Sequence, residues 1–168
     1  VTLLSTPLCI DPKGNEGLNP QKTEPTNPLY SLDKQQSSLV YYDKNTIVLT
    51  MPYWVKVTNS SVEDSEVKKH SFVLSYDPEA MTASDTKLKL YISHVVEDAG
   101  ETVTRSNFTY AYRAYSIRAA LAAFKEKTGK LPKYLELTAE INNSKDELVD
   151  KDGKETSVER SVEYDYAF

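Results

Sequence analysis

Metal-ion or acid–base chemistry in this sequence would have to be built from two histidines, His70 and His94, one cysteine, Cys9, and the acidic residues. A metal site needs several donors that converge at short spacing. Each histidine falls near the end of a strand-like run, and no short-spaced carboxylate or thiol is expected to accompany either one as a ligand set would require. His94 shares the parity of Leu88, Leu90 and Ile92, so it is expected to close the end of a core face through a hydrogen bond. Asp150, Asp152 and Glu155 resemble part of a calcium loop, but Lys154 and Ser161 occupy the positions that need an oxygen donor and a bidentate glutamate. The segment Asp150-Lys151-Asp152-Gly153 reads instead as a hairpin turn. The acidic pairs Glu63-Asp64 and Glu97-Asp98 lie in polar stretches and read as solubilising. Cys9, between Leu8 and Ile10, reads as a buried thiol. The sequence contains no Gly-x-Ser-x-Gly elbow and no phosphate-binding glycine loop. No metal, cofactor or catalytic residue is therefore assigned.

Recognition chemistry is the other possibility. Phe108, Tyr110 and Tyr112, followed by Tyr115, could stack against a sugar ring or a peptide. Their shared parity predicts, more simply, the core face of a strand. The triplets at Asn59, Asn107 and Asn142 match a glycosylation pattern, which arises often by chance. Tyr41, Tyr42, Tyr53 and Tyr91 are the candidate ligand-binding residues, expected to be exposed on amphipathic strands.

The elements that would position these groups are mostly strands. Ile47, Leu49 and Met51 alternate with polar or smaller residues, and Tyr53 to Thr58 continues beyond Pro52 with Trp54 as the buried aromatic. Phe72, Leu74 and Tyr76 form a second such run, Lys87 to His94 a third, and Asn107 to Arg113 a fourth. Leu135, Leu137, Ala139 and Ile141 share one face of a fifth. In the last, Val158, Val162, Tyr164, Tyr166 and Phe168 oppose Glu159, Glu163 and Asp165. Period-2 alternation of this kind marks half-buried strands. Asn59 to Lys69 reads as a loop. One helix is predicted, with Ser116 as N-cap, Ile117, Ala120, Leu121 and Phe124 on one stripe, and Gly129 closing it. The fold class is mainly β: an antiparallel β-sandwich with one short α-helix in a connection.

Composition agrees. Twelve tyrosines against four phenylalanines and five glycines suit sheets with amphipathic faces. A chain of 168 residues can bury a core large enough to stand without staples. One cysteine excludes an internal disulfide framework. The net charge of −5 argues against a nucleic-acid partner, which needs clustered cations. Residues 1–10 read as an edge strand. Residues 11–28, dense in Pro and Gly, read as a linker or strap, and residues 29–168 as the sandwich.

The runs Lys69-His70-Ser71-Phe72-Val73-Leu74-Ser75-Tyr76 and Leu88-Lys89-Leu90-Tyr91-Ile92-Ser93-His94 resemble the C-terminal β-sandwich domain of NigD-like proteins. The order of features is similar: a strand of the form Leu-x-Leu-x-x-x-His, an acidic loop at Glu97-Asp98, a polar-aromatic strand, a helical connection and an alternating strand. The resemblance covers about residues 28 to 145, and Asn27-Pro28 to Trp54 match its lead-in strands; it implies that residues 1–10 are the end of a preceding OB-like domain. It implies an exported lipoprotein of an anaerobic Gram-negative bacterium, placed at the outer membrane or in the periplasm, with no known enzymatic activity. It transfers no functional residues. Ser5-Thr6-Pro7-Leu8-Cys9 does not match the small residues of a lipobox, so membrane attachment would come only through a lipid anchor upstream of these residues.

The expected function is thus an exported cell-envelope module with a binding or structural role toward a protein or carbohydrate partner. The alternatives are a surface-fibre subunit that exchanges its Val162 to Phe168 strand between copies, and a hydrolase built on a carboxylate pair.

Overall fold

The computed structural model describes residues 8–9, 11–12, 25–142 and 157–168. They form a sandwich of two sheets. One sheet has the order β1-β7-β4-β3, where β1 is Leu8–Cys9, β3 Ser38–Asp43, β4 Thr46–Val55 and β7 Asn107–Ser116. The other has the order β2-β5-β6-β8-β9, where β2 is Asp11–Pro12, β5 His70–Tyr76, β6 Lys87–Val96, β8 Tyr134–Ile141 and β9 Val158–Asp165. A one-turn helix α1 (Asp64–Val67) precedes β5, and α2 (Arg118–Thr128) links β7 to β8.

The pairing is mixed rather than purely antiparallel. After β6 the chain leaves its sheet to make β7 in the other, and it returns through α2, which sets β8 parallel to β6. β1 and β2 also run parallel to their partners β7 and β5. β8 and β9 pair antiparallel from Tyr134↔Asp165 to Ile141↔Val158. The hairpin turn expected at Asp150–Gly153 lies outside the described residues, as does the side chain of Cys9.

The alternation read from the sequence places the core. Ile47, Leu49 and Met51 face Phe72, Leu74, Leu88, Leu90, Leu135 and Leu137 between the sheets, and Ala120, Leu121 and Phe124 of α2 pack onto this layer. Each such aliphatic side chain contributes about 1.5–3 kcal/mol through removal from water. β4 passes through Pro52 unbroken. The Pro52 carbonyl accepts from Tyr30 N at 3.0 Å, so its ring nitrogen also faces away from β7, and beyond Ser38↔Thr50 no β3 partner asks for a proton.

Three local expectations are corrected. Ser116 ends β7 instead of capping the helix; Ile117 stands at the cap position and anchors its backbone N–H on Asn45 O at 2.8 Å. The stretch read as a loop from Asn59 contains α1, whose four residues are too few to show a helical period. Val158 and Phe168 are exposed, because β9 is the edge strand and its apolar side is only partly covered. Gly129 closes α2 at φ 73° as expected, donating to Lys125 O at 2.8 Å.

Candidate functional site

Two places in the molecule concentrate groups capable of chemistry or recognition. The first is a buried polar cluster at one end of the sandwich. α1 turns Glu66 inward, and the next strand starts with His70, four residues on; the two side chains meet at 3.1 Å (Oε1 to Nε2). His70 Nδ1 lies 2.9 Å from His94 Nε2 on the paired strand β6, and His94 Nδ1 lies 3.2 Å from the carbonyl of Pro28. Arg105, 1% exposed, enters from the loop between β6 and β7. Its Nε donates to Glu66 Oε1 at 2.7 Å, and Nη1 and Nη2 each donate to one oxygen of Asp98 at 2.7 Å. Lys56 N donates to Glu66 Oε1 at 2.9 Å, and Lys69 Nζ reaches Asp98 at 3.5 Å. Tyr53 packs against both imidazoles, and Phe72 stacks on His94 at 4.9 Å with planes 4° apart.

The electrostatics follow from this packing. Burial works to raise the Glu66 pKa, but the bonds from Arg105, Lys56 N and His70 outweigh it and hold the carboxyl at about 2. Hydrogen bonds from Arg105 likewise hold Asp98 below its ordinary value. Burial lowers His70, opposed by its bond to Glu66. Burial and the neighbouring His70 push His94 down to about 3. A general acid needs a raised carboxyl pKa, and both carboxyls here are lowered. They share one guanidinium in place of the water or substrate a hydrolase would set between them. Among the described residues no group of three His, Cys, Asp or Glu side chains is placed to hold a metal ion.

His94 is where the sequence reading expected it, buried and hydrogen-bonded at the end of a core face. The expectation that no nearby carboxylate accompanies either histidine is corrected: the Glu66–His70 spacing of four was the available signal. Arg105 had no signal, since it lies 39 residues from Glu66 in a loop. Asp98, read as solubilising, is drawn into the cluster, while Glu63, Asp64 and Glu97 are exposed.

The second place is the outer face of the four-stranded sheet. Phe108, Tyr110 and Tyr112 are 41%, 40% and 64% exposed, which corrects the expectation that they line the core. The reason lies across the strand pair. Inward on β7 stand Thr109, Ala111, Arg113 and Tyr115, opposite Tyr53, Met51, Leu49 and Ile47. The large inward side chains Tyr53 and Met51 of β4 fill the space beside Thr109 and Ala111, so this end of β7 offers small residues inward and turns Phe108, Tyr110 and Tyr112 outward. Arg113 fits by lying over the Phe72 ring at 5.2 Å. On the outer side Tyr30 stacks on Phe108 at 4.1 Å and meets the buried Trp54 edge-on at 5.0 Å. Exposed Val40 of β3, opposite Val48, extends the same face.

The four tyrosines named from sequence do not converge. Tyr42 is exposed at the irregularity of β3 between Tyr41 and Asp43. Tyr53 is 3% exposed and belongs to the buried cluster, so it cannot meet a surface ligand. Tyr41 is half-buried at the sheet edge, donating to Asp165 O at 2.7 Å. Tyr91 is half-buried on β6 of the other sheet, where burial raises its pKa. The C-terminal strand proposed as a donor is seated in its own sheet, and Tyr166 Oη donates to Lys44 O at 2.8 Å.

No family model and no curated protein matches the chain. Among solved structures, the chain is similar to a protein of Bacteroides fragilis bearing the name "putative lipoprotein", with 28% identity and a TM-score of 0.71. The likeness extends over 95% of this chain and 69% of that one. No helix among the described residues is long and apolar enough to cross a membrane.

Proposed function

We propose that this chain is an exported cell-envelope module of the NigD-like kind, a lipoprotein domain that binds a protein or carbohydrate partner and carries out no catalysis. The observation that carries the binding role is the exposed aromatic row Phe108, Tyr110 and Tyr112, with Val40 exposed on the same face of the sheet. Monomeric domains rarely leave such a row open without use, and tyrosine gives large contact area at low entropic cost. The similarity to the Bacteroides lipoprotein over nearly the whole chain supports the envelope setting. A lipid tether outside these residues would present the face to partners at the outer membrane or in the periplasm. Phe108 and Tyr110 meet at 82°, so the row is a corrugated surface that suits a contoured partner or single sugar rings better than a flat polymer.

The reading is tested by a glycan array and an envelope-protein cross-linking screen, followed by chemical-shift mapping of any hit. Perturbations centred on Tyr110 and Tyr112, with affinity lost in a Tyr110→Ser/Tyr112→Ser variant, are the expected result. A hit that maps to the opposite sheet overturns it.

A further inference from the structure

The contacts of the two histidines can be counted in protons. The chain of contacts begins at the Pro28 carbonyl, passes through His94 and His70, and ends at Glu66. Both ends accept hydrogen bonds only, because Glu66 is held as a carboxylate by Arg105 Nε and Lys56 N. Three links therefore need three protons. Two neutral imidazoles bring two, and the third makes one of them an imidazolium. If it is lost, one link sets lone pair against lone pair. Opposite Glu66 that arrangement faces a full anion, and opposite Pro28 only a carbonyl dipole. The break therefore falls at Pro28.

The surrounding charges favour one extra proton over none or two. Glu66 and Asp98 are two negative groups against the single positive Arg105, and Lys69 answers Asp98 only from the partly solvated rim at 3.5 Å. The other groups facing the pair are Tyr53 from β4 and Arg113 of β7, held off behind the Phe72 ring. Pro28 belongs to a segment that bridges the sheets. Thr26 N donates to His94 O at 2.9 Å, Leu29 N to Glu140 O at 2.9 Å, and Tyr30 N to Pro52 O at 3.0 Å. Val96 N donates to Thr26 Oγ1 at 2.7 Å.

We propose that His70 and His94 form a one-proton latch: singly protonated, the pair ties the Thr26–Tyr30 segment to Glu66, and when neutral it lets the Pro28 carbonyl go. His70 carries the charge, next to Glu66, and His94 remains neutral. The inference stands apart from any ligand of the aromatic face.

The test is a long-range proton–nitrogen NMR titration of the two imidazoles in the wild-type protein, from pH 8 to 4.5, with amide exchange of Thr26 and Leu29 measured alongside. The expected result is two protonated ring nitrogens at the alkaline end and three at the acid end, the gained proton appearing as an N–H on His94 Nδ1. Exchange at Thr26 and Leu29, corrected for its intrinsic pH dependence, slows by roughly fivefold as the latch closes, the factor expected of one net hydrogen bond. In Glu66→Gln the amide oxygen takes the place of Oε1, which accepts from Arg105 Nε and Lys56 N and also faces His70, but the negative charge that favours the third proton is gone, so both changes move to lower pH. Two protonated nitrogens throughout, a fourth proton within this range, or amide protection that ignores the titration overturns the proposal. If the variant does not fold, the wild-type titration alone decides.

Discussion

The buried cluster and the outer face of the four-stranded sheet invert the usual placement of residue types. The interior end of the sandwich holds Glu66, His70, His94 and Arg105, whereas Phe108, Tyr110 and Tyr112 face solvent. The difference teaches what each region is for. Inside, the charges are satisfied by one another, and among the described residues no buried side-chain polar atom lacks a partner. They hold loops, a one-turn helix and the Thr26–Tyr30 segment on a sandwich whose sheets are fixed by apolar packing. Outside, Tyr110 and Tyr112 leave much of their rings in solvent, available for recognition.

The sharpest way to break this contrast is to remove a charge from the interior. Arg105→Met leaves Glu66 and Asp98 without their shared guanidinium, and a loss of about 3–5 kcal/mol is expected in chemical denaturation. A loss under about 1 kcal/mol would mean that the cluster does not organise this end of the fold.

The pH response draws on the same cluster. His94 in the folded state titrates at about 3, below the ordinary imidazole value of 6.5, so the unfolded chain takes up a proton that the folded one refuses. The stability this provides is complete above about 6.5 and is lost as pH falls toward 3, at roughly 1.4 kcal/mol per pH unit for each refused proton. Glu66, held at about 2, adds stability above its ordinary value of 4.5 that is lost between 4.5 and 2. Denaturation curves at stepped pH should therefore show stability falling from pH 6.5 downward and more steeply below 4.5. A flat profile from 7 to 5 would contradict the neutral burial of His94.

A smaller effect separates satisfied polar groups from free ones. Trp54 Nε1 donates to Asn142 O at 2.7 Å, and Tyr115 Oη to Phe72 O at 2.7 Å. Tyr115→Phe removes one such bond and should cost about 1–2 kcal/mol in denaturant midpoint analysis. The smallest change belongs to the outer face: Tyr110→Ser and Tyr112→Ser should each stay within about 0.5 kcal/mol of wild type. A much larger loss would show that these rings serve the fold.

The two regions were not equally legible in the sequence. The strands announced themselves wherever one parity was apolar and the other polar, as in Leu88-Lys89-Leu90 and Leu135-Glu136-Leu137. β7 misled because both of its parities carry aromatics, Phe108, Tyr110 and Tyr112 on one side and Tyr115 on the other. Which side faces inward is decided by Tyr53 and Met51 on the neighbouring strand and Phe72 across the interface, and no local pattern carries that information. The cluster was half legible. The parity of His94 with Leu88 and Leu90 placed it at the core, and the Glu66–His70 spacing was visible. Arg105 was not, since a loop residue finds its partners only once β6 and β7 have been assigned to different sheets. The parallel pairing of β6 and β8 was hidden for the same reason.

The measurement that tests the inside–outside assignment most directly is hydroxyl-radical footprinting of the native protein, read by mass spectrometry at single tyrosines. Tyr42 and Tyr112 should be modified fastest, with Tyr110 close behind, while Tyr53 and Tyr115 should stay protected until the protein is unfolded. Protection of Tyr110 and Tyr112 in the isolated protein, or ready modification of Tyr53, would contradict the account.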